Sequence, residues 1–463
     1  MKKTFLRRAV LAAAISTASS GSMAAGFYLQ ETSASGLGRA FAAENAIGDN
    51  AAILARNPAG SALFDSYTIS GGVTYVNPEI DAEGDVTYFT PVGNATFSTR
   101  DDDYATSAWV PNAYLAAPID DCWSFGLAMY TDYGLETDFS NDFLVTSIAN
   151  KTELLTVNIA PSIAYDFNDQ FSIGLAANFL YADATLRTTI PNDFPLADLV
   201  APSLGFDPSG AEILDLEGDD WDVSWSIGGL WHISDRTRLG ISYHAESDPE
   251  LEGDVNSDLL PSVLVPTLPP FDDARGKLKL DLPDTVELGF YHRFDENWGL
   301  ALGAMWTDWD DFQRLEANIP SARLGVDPEP FNPLHIKEEN FESGWRYSIG
   351  GEYYPCEEVT LRIGYAYDEG AARDGLNIPE SDAAGLPITW RTLSIPDTDR
   401  QWVTFGGTYE FDKQLSIDGG FAYLWGDDET IQEFTEIPVP TYFDGGTTNI
   451  EAWLASVSLN YKF

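Results

Sequence analysis

From Trp453 to the C-terminal Phe463 every second residue is apolar. Trp453, Ala455, Val457, Leu459, Tyr461 and Phe463 share one face, while Ser456, Ser458, Asn460 and Lys462 share the other. A period of two is that of a β-strand. It recurs in Leu155, Val157, Ile159, Ile163, Tyr165 and Phe167, and again in Val403, Phe405, Gly407, Tyr409 and Phe411. A soluble sandwich would also bury such a face. A terminal Phe preceded by alternating aromatics is instead the usual ending of an outer-membrane chain, with lipid on the apolar side and a polar lumen on the other.

Short polar turns separate the strands at one end: Asp120-Asp121-Cys122, Asn168-Asp169-Gln170, Ser234 to Thr237, Asp295-Glu296-Asn297, Pro355 to Glu358 and Asp412-Lys413-Gln414. Between them lie longer polar, Pro-rich segments, about 78–105, 135–152, 188–218, 249–275, 309–341, 369–398 and 427–449. Short turns inside and long loops outside are the barrel pattern. Six turns with seven loops give an all-β fold, a 14-stranded antiparallel transmembrane β-barrel over residues 67–463. Cys122 and Cys356 both fall in the short turns, far apart in strand order, so no disulfide is expected between them.

Residues 1–24 read as a signal peptide: Lys2, Lys3, Arg7 and Arg8 precede an apolar core from Ala9 to Ile15, and Ser22-Met23-Ala24 supplies small residues for cleavage. That core is far short of the ~20 residues of a spanning helix. Its removal takes four basic residues and no acid, so the formal charge of −48 becomes −52. Such a charge excludes nucleic acid as a partner. Hydrophobic residues make up 44% of the chain, which separates it from disordered acidic tails. Residues 25–66, rich in Ala, Gly, Ser and Asn, do not alternate. A barrel this wide needs filling, so they are expected to form an N-terminal hatch in the lumen, with a polar turn at Asn57, Pro58 and Ala59.

The run from Trp123 to Tyr130 alternates until Thr131-Asp132-Tyr133-Gly134-Leu135, where an Asp and a Gly interrupt the apolar order in the third strand. This is the mark of broken pairing, a lateral opening in the wall at Asp132, Tyr133, Gly134 and Leu135. Catalysis finds no inventory. His232, His244, His292 and His335 form no HExxH, no Ser sits in GxSxG, and acidic clusters such as Asp101-Asp102-Asp103 lack an EF-hand spacing. No enzyme, metal or cofactor is expected. Two outer segments are apolar: Phe194, Leu196, Leu199 and Val200, spaced along one side of a short helix, and Leu260, Val263, Leu264 and Leu268. Exposed apolar loops suggest either a lid or an outer groove for a greasy ligand. Arg187 and Lys337 stand where strands give way to loops, with Asp183 and Glu338 as the nearest ion-pair partners in sequence.

The segments Ala25-Gly26-Phe27, Ser35 to Ala40, Arg56-Asn57-Pro58-Ala59, Trp109-Val110-Pro111-Asn112, Tyr133-Gly134-Leu135 and Ser394 to Arg400 resemble those of FadL-type outer-membrane transporters of long-chain fatty acids. The resemblance implies passive uptake: capture in an outer hydrophobic groove, an inner pocket, and lateral release through a kink in the third strand. By the same resemblance Lys337 and Arg187, joined by Thr131, hold the carboxylate of a long-chain fatty acid or other hydrophobic small molecule. It implies a monomer in the outer membrane of a Gram-negative bacterium, among lipid and lipopolysaccharide. Uptake of aromatic or aliphatic hydrocarbons by the same route, and a general porin, are the alternatives.

Overall fold

The computed structural model describes residues 26–260, 270–320, 334–377, 385–436 and 439–463; the expected signal peptide lies outside them. Its wall runs in sequence order. The first six strands are Thr68–Thr90, Gly93–Asp101 with Ala108–Pro118, Trp123–Tyr130 with Gly134–Asp138, Lys151–Asn168, Phe171–Thr189 and Glu212–Ser234. Four divided strands follow: Thr237–His244 with Glu250–Asn256, Ala274–Lys279 with Thr285–Arg293, Trp298–Thr307 with Arg314–Asn318, and Leu334–Glu338 with Gly344–Cys356. Val359–Asp368, Arg400–Glu410, Leu415–Gly426 with Glu429–Thr435, and Thr441–Lys462 complete the fourteen. The last strand pairs antiparallel with the first from Thr68↔Lys462 to Tyr88↔Thr441, which closes the barrel.

All six short turns fall where the sequence places them, with Cys122 and Cys356 as exposed free thiols at that end. The opposite end differs. Much of 78–105 and 427–449, read as loop, is strand: the first strand continues to Thr90 and folds back on Gly93–Asp101. Above the lipid a wall strand no longer needs an apolar outer face, so the hydrophobic alternation fades while backbone pairing continues. In the lipid belt the outward positions are apolar, and exposed aromatics ring both borders. Trp123, Phe167, Trp298, Tyr409 and Phe463 lie toward the short turns, and Trp221, Trp345, Tyr365 and Tyr423 toward the outside.

Residues 26–64 lie inside the wall and are buried almost throughout. Asn45 Nδ2 donates to Glu287 O at 2.9 Å, Ala34 N–H to Ser458 Oγ at 3.2 Å, and Asn50 Nδ2 to Asp418 Oδ2 at 3.3 Å, so the segment is held from several sides of the lumen. Asn57 opens a 3₁₀ turn at Pro58–Leu63, where Pro at the first position costs no hydrogen bond. Its Oδ1 accepts from Ala59 N–H at 2.9 Å, and its Nδ2 donates to Asn45 O at 2.8 Å and to wall Gly229 O at 3.2 Å. Arg39, fully buried, is neutralised by Glu44 at 2.7 Å, Asp49 at 2.8 Å and Glu352 at 3.2 Å, as a buried charge must be.

Lumen-facing glycines give the plug its room. A Cβ on Gly364 would lie 2.3 Å from the Arg39 carbonyl carbon, a backbone atom that cannot turn aside. Gly364→Val is therefore expected to displace the plug at an overpacking cost of about 1–3 kcal/mol. Limited proteolysis of the folded barrel at Arg39 and Arg56 should run several-fold faster than in the wild type. Equal resistance would mean that this contact does not seat the plug.

Candidate functional site

The third strand is whole only in its lower half. Trp123–Tyr130 pairs with both neighbours, from Pro118↔Ser124 to Ala113↔Met129 on one side and from Trp123↔Tyr165 to Tyr130↔Asn158 on the other. Beyond the break, Gly134–Asp138 keeps its ladder to the fourth strand, whereas the second-strand stretch Trp109 to Asn112 has a ladder only to the first. Pairing toward the second strand resumes with Thr106 N–H to Glu136 O at 3.3 Å and Asp138 N–H to Tyr104 O at 2.9 Å. The plug occupies the interval: Gly134 N–H donates to Phe27 O at 3.0 Å and Leu29 N–H to Asp132 O at 2.6 Å. Asp132 also accepts from Asn158 Nδ2 at 2.8 Å, and Tyr133 Oη donates to Pro283 O at 2.9 Å. On the third-strand side of the break, backbone groups of Asp132 and Gly134 are thus satisfied by the plug segment Phe27 to Leu29.

Phe27 sits in a cage of edge-on rings, 4.7 Å from Trp309, 5.2 Å from Phe312 and 6.1 Å from Tyr133, all buried. Phe341 extends the cage, 5.6 Å from Trp309. Asp397 anchors the same segment. Its Oδ1 accepts from Gly26 N–H at 3.2 Å and from Arg400 at 3.0 Å, and its Oδ2 from Ala372 N–H at 2.9 Å.

Outward of this cage lies a cavity of about 640 Å³, within the range of small-molecule sites. Leu186, Ile213, Leu214, Leu260, Leu334 and Ile336 supply apolar walls, and Lys337, Ser394 and Glu433 a polar end. Leu315 both lines the cavity and belongs to the cluster around Phe27, and Ile336 packs against that cluster, so the two spaces share a wall. Lys337 Nζ donates to Ser394 Oγ at 2.7 Å and pairs with Glu433 at 2.9 Å. The second oxygen of Glu433 accepts from Leu393 N–H at 2.8 Å. Close by, above the aromatic border, Glu339 is fully buried. Burial pushes its carboxyl up to about 8 and Glu433 adds to the rise, against the opposing charge of Lys337. A second hollow, about 710 Å³ between Phe171, Trp231 and Ile241, lies on the lipid face of the wall.

Of the expected carboxylate residues, Lys337 alone lines the cavity among the described residues. Arg187 pairs with Asp215 at 3.1 Å, directly opposite on the sixth strand, and Thr131 is buried at the wall break. The strands instead bring Asp215 to Arg187 and Glu433 to Lys337. The expected outer groove is divided. Phe194 packs edge-on against Tyr88 at 5.4 Å; Leu196 and Val200, flanking and within the helix Ala197–Leu204, join the same loop core, while Leu199 faces out. Leu260 belongs to another cluster and lines the inner cavity. Val263, Leu264 and Leu268 lie outside the described residues. Ser394, Asp397, Trp309 and Phe312 were not legible as site residues. Ser394 and Asp397 stand in a recognisable motif, but their partners are distant in sequence.

A closed wall with a filled lumen, an apolar cavity toward the outside, and a wall break covered by the plug's first residues define a plugged outer-membrane transport barrel. The chain belongs to the outer membrane protein transport protein family (OMPP1/FadL/TodX), whose model matches residues 15–463. It is 32% identical to the long-chain fatty acid transport protein of Escherichia coli K12 over the full length of both chains. Among solved structures, a Pseudomonas aeruginosa FadL homologue superposes with a TM-score of 0.78 at 22% identity, over 95% of this chain and 100% of that one. The Pseudomonas putida toluene transporter TodX superposes with a TM-score of 0.57 at 18% identity, over 89% and 94%. Both likenesses speak to the fold alone.

Proposed function

We propose that this protein takes long-chain fatty acids passively from outside the cell, holds them in the cavity at Lys337, and releases them sideways into the outer membrane at the third-strand break. The observation that carries the reading is continuity: the cavity, the cage around Phe27 and the break at Asp132 to Leu135 adjoin one another in that order. Sideways release avoids periplasmic water, where each exposed methylene costs ~0.8 kcal/mol. The helix-bearing loop around the exposed Leu199 serves as the outer capture surface. The N-terminal segment acts as the hatch, with Asn57, Pro58 and Ala59 fixing it to the wall. The closed barrel works as a monomer surrounded by outer-membrane lipid and lipopolysaccharide. A second reading, uptake of aromatic hydrocarbons, is favoured by the density of rings at Phe27, Tyr133, Trp309, Phe312 and Phe341. The filled lumen speaks against a general porin.

Gly134→Phe tests the exit. Gly134 is buried at the break, so a ring added there is expected to obstruct the opening. Uptake of labelled oleate by cells should fall at least tenfold, while purified protein still binds oleate within about twofold of wild type. Full uptake by a correctly folded variant at equal surface levels would place the exit elsewhere.

A further inference from the structure

We infer that the inner cavity accepts its ligand with an uncharged head group, so that a long-chain acid binds there together with its proton and a long-chain alcohol binds better than a carboxylate anion. The inference rests on the reading of this cavity as the ligand site. Lys337 is not an open cation. Its side chain is 12% exposed, it is paired with Glu433 at 2.9 Å, and it donates to Ser394 Oγ at 2.7 Å, while Glu433 is held in place by Leu393 N–H at 2.8 Å. A carboxylate that took Glu433's place would strand that acid in a buried site with one remaining hydrogen bond, which disfavours the exchange.

The remaining charges act in the same direction. Glu338 from the tenth strand and Glu436 beside the thirteenth also line the cavity, and Lys337 is its one lining cation among the described residues. Behind them Glu339 accepts from Thr392 Oγ1 at 3.2 Å, and its Oε1 is buried without a hydrogen-bond partner. Burial raises Glu339 to about 8, as expected where a further negative charge is unwelcome. An uncharged head group meets no such repulsion. Two of the three ammonium protons of Lys337 are used, leaving one for a ligand oxygen, and a hydroxyl or carboxylic acid O–H can donate to Glu433 in return.

The test is calorimetric titration of the full-length barrel in maltoside micelles at pH 8 with oleyl alcohol and with oleate. The alcohol is expected to bind at least tenfold tighter. Glu433→Gln, which removes the ion-pair partner of Lys337, should reverse the order, with oleate gaining at least tenfold. The double variant Lys337→Gln/Glu433→Gln, neutral again, should restore the preference for alcohol, so that reversal in the first variant cannot be laid to damage. Oleate binding as tightly as the alcohol to wild type, or an unchanged ratio in Glu433→Gln, overturns the inference. Ile336→Trp fills the cavity and should abolish both titrations. If both ligands still bind that folded variant, the cavity is not their site, and the parent reading falls with this one.

Discussion

Replacing Asp397 with alanine is expected to free the N-terminus of the plug and turn a closed barrel into a conducting one. Asp397 is 3% exposed and accepts three hydrogen bonds, from Gly26, Ala372 and Arg400. Arg400, 1% exposed, would be left as an uncompensated buried charge, and breaking a buried pair in this way costs about 3–5 kcal/mol. Gly26 is closely fitted against the cage. Its φ of +59° is left-handed, and a Cβ there would come within 2.8 Å of Trp309, so the segment is fitted to this one position. If most of that cost falls on docking of the N-terminus, its released population rises by roughly two powers of ten. Planar-bilayer recordings should show long open events in Asp397→Ala and few in wild type. Asp397→Asn keeps an acceptor but not the charge, and should fall between. Indistinguishable traces from wild type and Asp397→Ala would show that the carboxylate does not hold the plug in place.

The barrel was legible because lipid imposes a strict alternation on each wall strand, and because turns such as Asn168 to Gln170 are too short to be anything but hairpins. Above the lipid that pressure is absent, so Asp81 to Thr90 reads as loop although it is paired strand. The break at Thr131 to Leu135 was visible as a fault in the alternation, but what fills it was not: Phe27 and Leu29 reach it through backbone atoms, which carry no side-chain signature. Lys337 could be singled out because cations are scarce in this chain. Its partner Glu433 could not, since one acid among 73 has nothing in the sequence to mark it, and the contact joins the tenth and thirteenth wall strands, which are not neighbours in the sheet. The described residues expected in the outer groove fall into separate clusters for a related reason. Helical spacing at Phe194 to Val200 marks an apolar side, but it does not say whether that side meets ligand or the aromatic loop core at Tyr88.

The side chain of Phe27 is expected to matter as much as Asp397, by a different route. Its carbonyl accepts from Gly134 N–H at 3.0 Å whatever the side chain, so Phe27→Ala keeps that bond available and removes only the packing against Trp309, Phe312 and Tyr133. Truncating a buried Phe costs about 3–5 kcal/mol, enough for a hundredfold or greater rise in the undocked state, each ~1.4 kcal/mol being tenfold. Hydrogen exchange reads this directly, because the Gly134 amide is protected only while Phe27 is seated beside it. Its exchange should quicken roughly a hundredfold in Phe27→Ala, while amides of the intact lower half, such as Leu127, keep the wild-type rate. Phe27→Leu, which retains apolar volume, should lose less than half of that protection in free-energy terms. Because Asp397 and Phe27 hold the same few residues, the double variant should open little further than either single one: once the N-terminus is released at one anchor, the other has nothing left to hold. Effects on Gly134 exchange that simply add would instead mean that the two anchors act on separate motions, and that the cage around Phe27 seats the plug at the third-strand break without help from Asp397.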